Sequence, residues 1–417
     1  MRKKIWIFNH YATQAAVDLR GRHYWIAREL VKLGYEPVIF CCNFEHFSGK
    51  FVDESNPLWF ERTLPCDAKC VYIRSNAYHS NGAKRIINML RFTCNLKKVA
   101  EIYAKKYGRP DVIYGSSAHP FAVIAGEKLA KKWDIPCLCE VRDLWPESIF
   151  AYYPEKRKKC YANALYRGER KMYERADAII MTWEGGKDYI AEQGWTDTIP
   201  LSKVHHIGNG VDLQEFNEFL SEHRFEDPDL SDKSHFNAVY TGSVRLVNNL
   251  GMLVDTAVEL RKRGNEKIKM LIWGGGNELE PLRERVADLG LENIVFKGFT
   301  ARHNIPSILS QSDCTLLHNS STVLDKYGQS QNKFFEYLAA GKPILMTYSV
   351  GYSICKKEGC GIELDEQSPE KIADALEAFS VMPKEEYDEM SKKAKQIAKN
   401  YDFKLHTQRL AEIIESL

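Results

Sequence analysis

Short apolar runs alternate with longer amphipathic segments along this chain, and the alternation restricts its fold more than any other feature. Apolar runs of about four to eight residues between helical stretches predict βαβ units, which build parallel sheets covered by helices on both faces. The series begins with a run at 5–9, an amphipathic segment at 22–33 and a run at 37–41. Further strands are predicted at 112–114, 136–141, 178–182 and 204–207.

The alternation then restarts, which predicts a second doubly wound unit. Its predicted strands lie at 236–241, 269–273, 294–297, 314–317 and 343–347, and two of its helices at 251–263 and 279–289. A chain of 417 residues also exceeds the size at which one core usually stops growing. We therefore expect an α/β protein with domains over 1–207 and 208–400 and a last helix, 401–417, that crosses back to the first domain. The polar stretch 215–233 is expected to be a linker or a surface excursion.

The charge is divided unevenly between the two halves. Residues 1–205 carry 33 Lys and Arg against 23 Asp and Glu, whereas residues 206–417 carry 25 against 33. A basic first half suits an anionic membrane or a phosphate-bearing acceptor, and a solvated charged face is the plainer alternative. Within it, the segment 83–107 has the pattern of a basic amphipathic helix, which fits either membrane contact or an ordinary covering helix of the sheet. The stretch 152–175 is also basic and aromatic.

Cysteine use and hydropathy indicate the compartment. The eleven cysteines are an odd number, and many lie in apolar runs, which indicates buried thiols in a reducing environment. Cys66 and Cys70 could chelate a metal, but no second Cys/His pair stands at a suitable spacing, so a structural role is favoured. The first apolar run is too short for a signal peptide, and no uncharged apolar run of about 18 residues exists. We expect a cytoplasmic protein, free or peripheral on the inner face of the membrane.

Ligands of open α/β sheets bind beyond the carboxyl ends of the strands, so the loops at that edge are the candidate sites. After the first strand, Gly21 and Arg22 open a helix whose free amides and dipole favour an anion, although a plain turn fits equally well. His119 precedes another helix and could hydrogen-bond a phosphate or a sugar hydroxyl, whereas a lone histidine is more often a satisfied structural residue. Arg142 and Asp143 lie among further carboxylates in the run 140–148, which indicates a functional loop or a salt-bridged helix cap.

Glycine-rich turns follow two strands of the second half. Gly242, Ser243 and Arg245 come after one strand and Gly274 after the next, and such turns allow a ligand to approach the backbone. The planar fork of Arg245 is suited to a diphosphate because it can bind two oxygens.

The segment 326–344 is the last candidate. A helix opens near Asn332, and Lys333 and Glu336 lie three residues apart on one of its faces. Lys333 could neutralise a phosphate while Glu336 accepts hydrogen bonds from two ribose hydroxyls, and a plain surface ion pair is the alternative.

Together these segments resemble the family-4 retaining glycosyltransferases, especially the bacterial enzymes that build O-antigen and capsule chains. The resemblance spans essentially the whole chain and is strongest in three runs: EVRDLWPES at 140–148, IGNGVD at 207–212 and NKFFEYLAAGKPI at 332–344. The last run is similar to the second half of the family's Glu-x7-Glu signature. The resemblance implies a GT-B fold, in which two Rossmann-like domains face each other across a cleft.

The resemblance also implies residue roles. His119 would lie near the transferred sugar, and Arg245 and Lys333 would stabilise the leaving diphosphate. Arg142 and Asp143 would lie on the acceptor side. The residues assigned to donor binding, with Glu336 on the ribose and Phe299 and Thr300 at the base, are Gly21, Arg22, Gly242, Ser243, Gly274, Phe299, Thr300, Asn332 and Glu336.

The sequence departs from the family pattern at two places. Gly328 stands where the first glutamate of the signature would fall, and the usual downstream lysine falls among Asn248, Asn249 and Leu250. We expect Lys333 to supply the missing phosphate charge.

The implied reaction moves a hexosyl or N-acetylhexosaminyl group from a nucleoside-diphosphate sugar, by family habit a UDP-sugar, to a hydroxyl of a glycan or polyprenyl-diphosphate-linked acceptor with retention. Because cations and helix N-termini can stabilise the leaving group, we expect no metal or other cofactor. Nucleic acid is not an expected partner. A sugar-nucleotide epimerase of the same fold is the main alternative, and a non-catalytic sugar-nucleotide binder is a further one.

Overall fold

A computed structural model of the protein describes residues 2–46, 48–78, 82–117 and 119–417. The chain divides into two compact units, Met1–Gly208 with Phe403–Leu417, and Asn209–Asp402. Among the described residues no helix is long and apolar enough to cross a membrane.

The first unit is built around one eight-stranded sheet in the order β3-β4-β2-β1-β5-β6-β7-β8. All neighbours are parallel except β3 and β4, which are antiparallel. Its strands are β1 Lys4–Phe8, β2 Glu36–Cys42, β3 Trp59–Thr63, β4 Lys69–Ile73, β5 Val112–Ser117, β6 Cys137–Val141, β7 Ala178–Met181 and β8 Val204–His206. Its helices before the crossing to the second unit are α1 Thr13–Val17, α2 Arg22–Lys32, α3 Ala83–Tyr107, α4 Pro120–Trp133, α5 Glu147–Phe150, α6 Ala162–Arg175 and α7 Gly186–Glu192.

The second unit contains a six-stranded parallel sheet in the order β11-β10-β9-β12-β13-β14. Its strands are β9 Phe236–Thr241, β10 Ile268–Trp273, β11 Ile294–Gly298, β12 Cys314–Leu317, β13 Ile344–Met346 and β14 Gly361–Glu363. Its helices are α8 Leu213–Glu222, α9 Pro228–Ser231, α10 Gly251–Lys262, α11 Leu279–Asp288, α12 Ile305–Gln311, α13 Asn332–Ala340, α14 Ile354–Glu358, α15 Pro369–Ser380 and α16 Lys384–Ala398. The last helix, α17 Phe403–Glu415, belongs to the first unit.

Each sheet is buried on both faces, as the apolar runs predict. In β1, Ile5 and Ile7 belong to one core cluster and Trp6 and Phe8 to another, because successive side chains of a strand point to opposite faces. The cluster around Ile5 and Ile7 also contains residues of α2 and α17. The second sheet likewise separates two clusters.

The predicted linker or surface excursion at 215–233 is wrong in its local structure. The segment contains most of α8 and all of α9, because Asp212 and Asp227 cap the two helices through their side chains and Phe216 and Leu230 are buried. The sequence analysis also missed β3, β4 and β14.

The strand order determines where ligands can approach each unit. In the first sheet the connections leave β1 in opposite directions, toward β2 and toward β5, and in the second they leave β9 toward β10 and toward β12. Crevices at the carboxyl ends of strands form at such switch points.

Candidate functional site

In the second unit, the loops after β9 and β10 pack backbone against backbone. Gly242 N donates to Trp273 O over 2.9 Å, and Val244 N donates to Gly275 O over 2.9 Å. A Cβ on Gly274 would lie 1.6 Å from the carbonyl oxygen of Gly242. The neighbouring loop therefore requires a glycine at position 274, and the approach of a ligand to this turn stays a prediction. Gly275 instead has open space at its Cβ position.

Lys333, a partly exposed residue, places its ammonium group beside this double loop. Its Nζ donates to the hydroxyl of Tyr240 over 2.8 Å and lies 4.1 Å from the centre of that ring. A Cβ on Gly242 would come within 3.2 Å of the same Nζ, so the ammonium group touches the loop backbone. Desolvation by the surrounding protein lowers the pKa of Lys333 to about 7. No carboxylate in the described ranges forms an ion pair with it, which leaves the place of a counter-ion open to an anionic ligand.

Arg245 adds a second cation at the same edge. It is exposed and forms no ion pair with any residue that the structure describes. The preceding Ser243 donates through Oγ to Asn248 Oδ1 over 2.8 Å, and Asn248 in turn donates to Asn319 Oδ1 over 3.2 Å. Asn248, which stands near the place of the usual family lysine, thus braces the loop rather than adding charge.

Glu336 lies three residues after Lys333 on α13 and has a different partner. One of its oxygens is 3.2 Å from the guanidinium of Arg302, which also lies 3.4 Å from Glu215. In the loop after β11, Thr300 Oγ1 accepts a hydrogen bond from Asn304 Nδ2 over 3.0 Å, and Phe299 exposes 86% of its surface. The sequence analysis did not single out Arg302, because its contact with Glu336 joins residues distant in sequence.

The loop between Gly328 and α13 carries polar atoms without partners. Both amide atoms of Gln329, the hydroxyl of Ser330 and Oε1 of Gln331 are buried, and none bonds to another described residue. Asn332, the first residue of α13, is exposed. Unsatisfied buried polar atoms are costly, so this loop is prepared for hydrogen bonds that the protein alone does not supply.

In the first unit, Arg22 opens α2 after Gly21, whose φ of 89° favours glycine. Its side chain is buried and forms an ion pair with Glu140, Nε to Oε1 2.6 Å, while the other two guanidinium nitrogens donate to the carbonyls of Ile207 and Gly208 over 2.9 and 2.6 Å. Ser116 and Tyr114 also donate to Glu140. The Arg22 side chain, which was predicted to bind the donor, therefore makes buried structural contacts instead. The backbone amides of the turn at Gly21 and Arg22 are the predicted donor contacts that are left.

His119 precedes α4 and is buried against a second histidine that the sequence analysis did not choose. His119 Nε2 lies 2.6 Å from His10 Nδ1, in the loop after β1. Burial and the charge of Arg85 lower the pKa of His119 to about 3, and burial with the neighbouring His119 lowers that of His10. Both rings are thus neutral near pH 7. In the sequence, only the positions of the two histidines in the loops after β1 and β5 could have indicated this pair, because these strands are neighbours at the switch point.

Arg142 and Asp143 follow β6. Nε of Arg142 is buried without a described partner, and its carbonyl accepts from Trp183 over 3.0 Å. Asp143 is solvent-accessible but sits in a concave pocket of about 170 Å³, where desolvation raises the pKa of its carboxyl. The pocket is otherwise mainly apolar and includes Phe121 and Trp145.

The candidate residues thus form two sets at carboxyl edges. One lies after β1, β5 and β6 of the first unit, and the other lies after β9, β10 and β11 and on α13 of the second. The ranges that the structure describes contain no group of three or more His, Cys, Asp or Glu arranged to hold a metal ion.

Solved structures resemble the chain along its whole length. Sucrose-phosphate synthase from Thermosynechococcus elongatus is 14% identical with a TM-score of 0.72, covering 100% of this chain and 99% of its own. Anabaena HepE in complex with UDP is 14% identical with a TM-score of 0.68, covering 100% of both chains. WaaG, a glycosyltransferase involved in lipopolysaccharide biosynthesis, is 14% identical with a TM-score of 0.64, covering 99% of both. This likeness shows a GT-B fold with two Rossmann-like domains.

The fold is the one that the GT-B glycosyltransferases share. Two family models match successive parts of the chain: Glycosyltransferase Family 4 over residues 24–215, and Glycosyl transferases group 1 over residues 224–397. The protein therefore belongs to the family-4 glycosyltransferases and is an enzyme of sugar transfer. No curated protein matches the chain.

Proposed function

We propose that the enzyme moves a hexosyl or N-acetylhexosaminyl group from a UDP-sugar to an acceptor hydroxyl, with retention of the anomeric configuration. The observation that carries this proposal is the pair of cations at the carboxyl end of β9. Lys333 and Arg245 have no described acidic partner, and they flank the loop that starts at Gly242. A diphosphate diester carries two negative charges and fits such a pair.

In this proposal the protein lowers the barrier chiefly by stabilising charge on the departing diphosphate. Arg245 can bind two of its oxygens through its fork, and Lys333 supplies a point charge in a desolvated position, where electrostatic interactions are strong. Metal-independent catalysis follows as part of the proposal, because two cations already meet the charge of the leaving group. The leaving phosphate itself takes the proton of the acceptor hydroxyl, so no strongly basic side chain is needed.

The residues around the two cations are assigned to the ribose and the base of the donor. Glu336 would accept from the ribose while still paired with Arg302, and Phe299 and Thr300 would meet the base. UDP as the nucleotide is supported by HepE, a structure of similar fold that was solved with UDP. The unsatisfied amide of Gln329 would replace the contact that the first signature glutamate makes in the family.

A lipid-linked or glycan acceptor of cell-surface polysaccharide synthesis is proposed for the first unit. The pocket beside Asp143 is largely apolar; of its two carboxyl residues, Glu169 is already bonded to Tyr173 and Tyr189, and Asp143 is exposed and would meet the acceptor hydroxyl. On α3, Ile86, Ile87 and Leu90 expose 53%, 51% and 46% of their surface, and Lys84 precedes them on the same helix. Exposed apolar side chains beside cations suit peripheral contact with an anionic membrane. WaaG, a protein of similar fold, is involved in lipopolysaccharide biosynthesis, which is consistent with such an acceptor.

The test is a panel of UDP-, GDP- and dTDP-sugars with glycan and polyprenyl-diphosphate-linked acceptors, measured by nucleotide release without added metal and with a chelator. We expect acceptor-dependent UDP release that is lost in Arg245→Ala and Glu336→Ala. Lys371→Ala, which removes an exposed cation on α15, is the control and should be as active as wild type. Proton coupling constants at the new anomeric centre report the stereochemical course.

Two results would overturn the proposal. Formation of an isomerised nucleotide-sugar without acceptor would identify an epimerase, and tight UDP-sugar binding without turnover on any pair would identify a binding protein. An inverted product would remove retention alone.

A further inference from the structure

A single buried hydroxyl group joins the two elements of the second unit that are proposed to hold the diphosphate. Tyr240, the last residue but one of β9, is fully buried. Its hydroxyl donates to the carbonyl of Ser243 over 2.9 Å and accepts from Lys333 Nζ over 2.8 Å. The same oxygen atom therefore contacts both the loop after β9 and the ammonium group carried by α13.

The chemistry of the three groups determines the direction of both hydrogen bonds. A carbonyl oxygen can only accept, so the one proton of the Tyr240 hydroxyl is directed at Ser243. An ammonium group can only donate, so Lys333 uses a lone pair of the Tyr240 oxygen. The hydroxyl then has no proton left for a ligand. Tyr240 is thus placed to orient its two neighbours rather than to bind the substrate itself.

This bridge lies close against the loop backbone. A Cβ on Gly242 would lie 3.0 Å from the Tyr240 hydroxyl oxygen and 3.2 Å from Lys333 Nζ, and both separations are tighter than almost all contacts of a real Cβ atom. A glycine at position 242 therefore allows the hydroxyl and the ammonium group to stay beside the backbone that leads to Arg245.

A second tyrosine joins the same helix to the same strand without including the ammonium group. The hydroxyl of Tyr337, four residues after Lys333 on α13, accepts from the backbone N–H of Thr241 over 2.9 Å. Tyr337 is also fully buried, and its hydroxyl makes no hydrogen bond to Lys333 in the part of the chain that the structure describes. The two hydroxyls thus make comparable links between α13 and the end of β9, and they differ in whether Lys333 takes part.

We propose that Tyr240 is a positioning residue that holds the Lys333 ammonium group and the Ser243 carbonyl in the arrangement that receives the donor diphosphate. The inference rests on the proposed function, because it takes Lys333 to bind that diphosphate. In the free enzyme the hydroxyl oxygen solvates an ammonium group that is desolvated and has no described carboxylate partner. It therefore stabilises the protonated form of Lys333, whose pKa desolvation lowers to about 7.

The titratable groups near this bridge come from three strands and from α13 itself. They are Tyr240 on β9, His318 after β12, Tyr348 after β13, and Glu336 and Tyr337 on α13. Burial raises the pKa of each of these tyrosines and lowers that of His318 to about 4. The carboxylate of Glu336 is paired with Arg302. Lys333 is therefore the group expected to change its charge between pH 5.5 and pH 8.5.

The first measurement is the pKa of Lys333 in the free protein, obtained by NMR of 13C-labelled lysine, with the signal assigned by Lys333→Arg. Tyr240→Phe keeps the ring, whose centre lies 4.1 Å from Nζ, and removes the hydroxyl. We expect the pKa of Lys333 to fall from about 7 to about 6, as for the loss of one hydrogen bond to a charged group. In Tyr337→Phe, the matched control, it should equal the wild-type value. Equal pKa values in wild type and Tyr240→Phe would overturn the proposal whatever the enzyme transfers.

The second measurement is the Kd for a UDP-sugar in the same proteins at pH 5.5 and pH 8.5. With a pKa of about 6, Lys333 keeps most of its protonated form at pH 5.5 but has about ten times less of it than wild type at pH 8.5. The ratio of the Kd of Tyr240→Phe to that of wild type should therefore rise about sevenfold between these pH values. The corresponding ratio for Tyr337→Phe should stay constant.

A ratio for Tyr240→Phe that is the same at both pH values would show a packing role alone and would overturn the proposal. If the wild type binds no UDP-sugar at either pH, the proposed function fails instead, and the pKa of Lys333 in the free variants still decides whether Tyr240 supports the ammonium group.

Discussion

The lowered pKa of Lys333 predicts that donor binding takes up a proton. In the free enzyme the pKa is about 7 because the ammonium group is desolvated and has no carboxylate partner. A bound diphosphate would restore the ordinary value near 10.5, since two negative charges compensate the desolvation. Between these two pKa values the complex holds one proton more than the free enzyme, so the affinity must fall as pH rises.

The magnitude follows from linkage. With a free pKa of about 7, the Kd for a UDP-sugar should rise about 25-fold between pH 6.5 and pH 8.5, which corresponds to roughly 2 kcal/mol. A nucleotide-sugar is the right ligand because its diphosphate diester does not titrate in this range. Neither neighbour of Lys333 interferes: burial raises the pKa of Tyr240 well above its usual value and lowers that of His318 to about 4.

Isothermal titration calorimetry in buffers of different ionisation enthalpy measures both quantities. At pH 8.5 we expect uptake of close to one proton per UDP-sugar bound, and only about a quarter of a proton at pH 6.5. Lys333→Arg retains a charge that does not titrate and should bind with a Kd independent of pH. A wild-type Kd that is flat over this range, or proton uptake near zero at pH 8.5, would refute the assignment of Lys333 to the diphosphate.

The same lysine should cost stability in the absence of donor. Its pKa in the folded protein lies below that of the unfolded chain, so the penalty is complete below pH 7 and disappears as pH rises toward 10.5. Lys333→Met should therefore raise the Tm of the free protein at pH 6.5 more than at pH 9, while it abolishes the gain in Tm that UDP-sugar gives to the wild type.

Three further predictions concern packing and buried charge. Gly274→Ala should lower the Tm and weaken UDP binding at least tenfold, because its Cβ would clash with Gly242 O. Gly275→Ala has open space at its Cβ position and should keep the wild-type Tm and UDP affinity. Equal thermal shifts for the two variants would contradict this prediction. Glu140→Met leaves the buried Arg22 guanidinium without its counter-ion and should cost about 3–5 kcal/mol in urea unfolding. Glu127 is buried without a hydrogen-bond partner in the described part of the chain, and burial raises its pKa to about 8; Glu127→Gln should therefore be more stable than wild type at pH 8.5 and lose that advantage as pH falls toward 4.5.

The sequence predicted most of the parallel strands because those strands are continuous apolar runs, but it missed the parallel strands β4 and β14. β1, β2, β5 and β9 to β13 lie within a few residues of their predicted positions, since a strand buried on both faces requires such a run. β3, Trp59–Thr63, was missed because its side chains are half exposed at the edge of the sheet and its sequence, WFERT, does not form an apolar run. β14 has only three residues. The error at 215–233 arose because polarity was taken as a sign of a linker or a surface excursion, whereas the side chains of Asp212 and Asp227 cap helices there.

The candidate site was predictable as a set of loops but not as a set of contacts. The rule that ligands approach carboxyl ends of parallel strands selected the loops of Gly242, Arg245 and His119 correctly as edge positions. The sequence pattern could not show that the Arg22 side chain forms an ion pair with Glu140, 118 residues away. Nor could it show that the ring of His119 lies at hydrogen-bond distance from that of His10, 109 residues away. Such contacts depend on which strands are neighbours, which the sequence did not specify.

Helix α3 has a buried stripe and an exposed stripe of side chains, and the two differ in which substitutions they tolerate. Asn88 and Phe92 are four residues apart on a buried stripe, from which Phe92 stacks on His10, and Ile86 and Leu90 are four apart on a stripe that faces outward. Polar replacements at Ile86 and Leu90, the obvious change for anyone who needs a more soluble preparation, would therefore leave the inner stripe intact. A single-residue insertion between Gly82 and Asn88 would instead rotate the stripes relative to one another by about 100°.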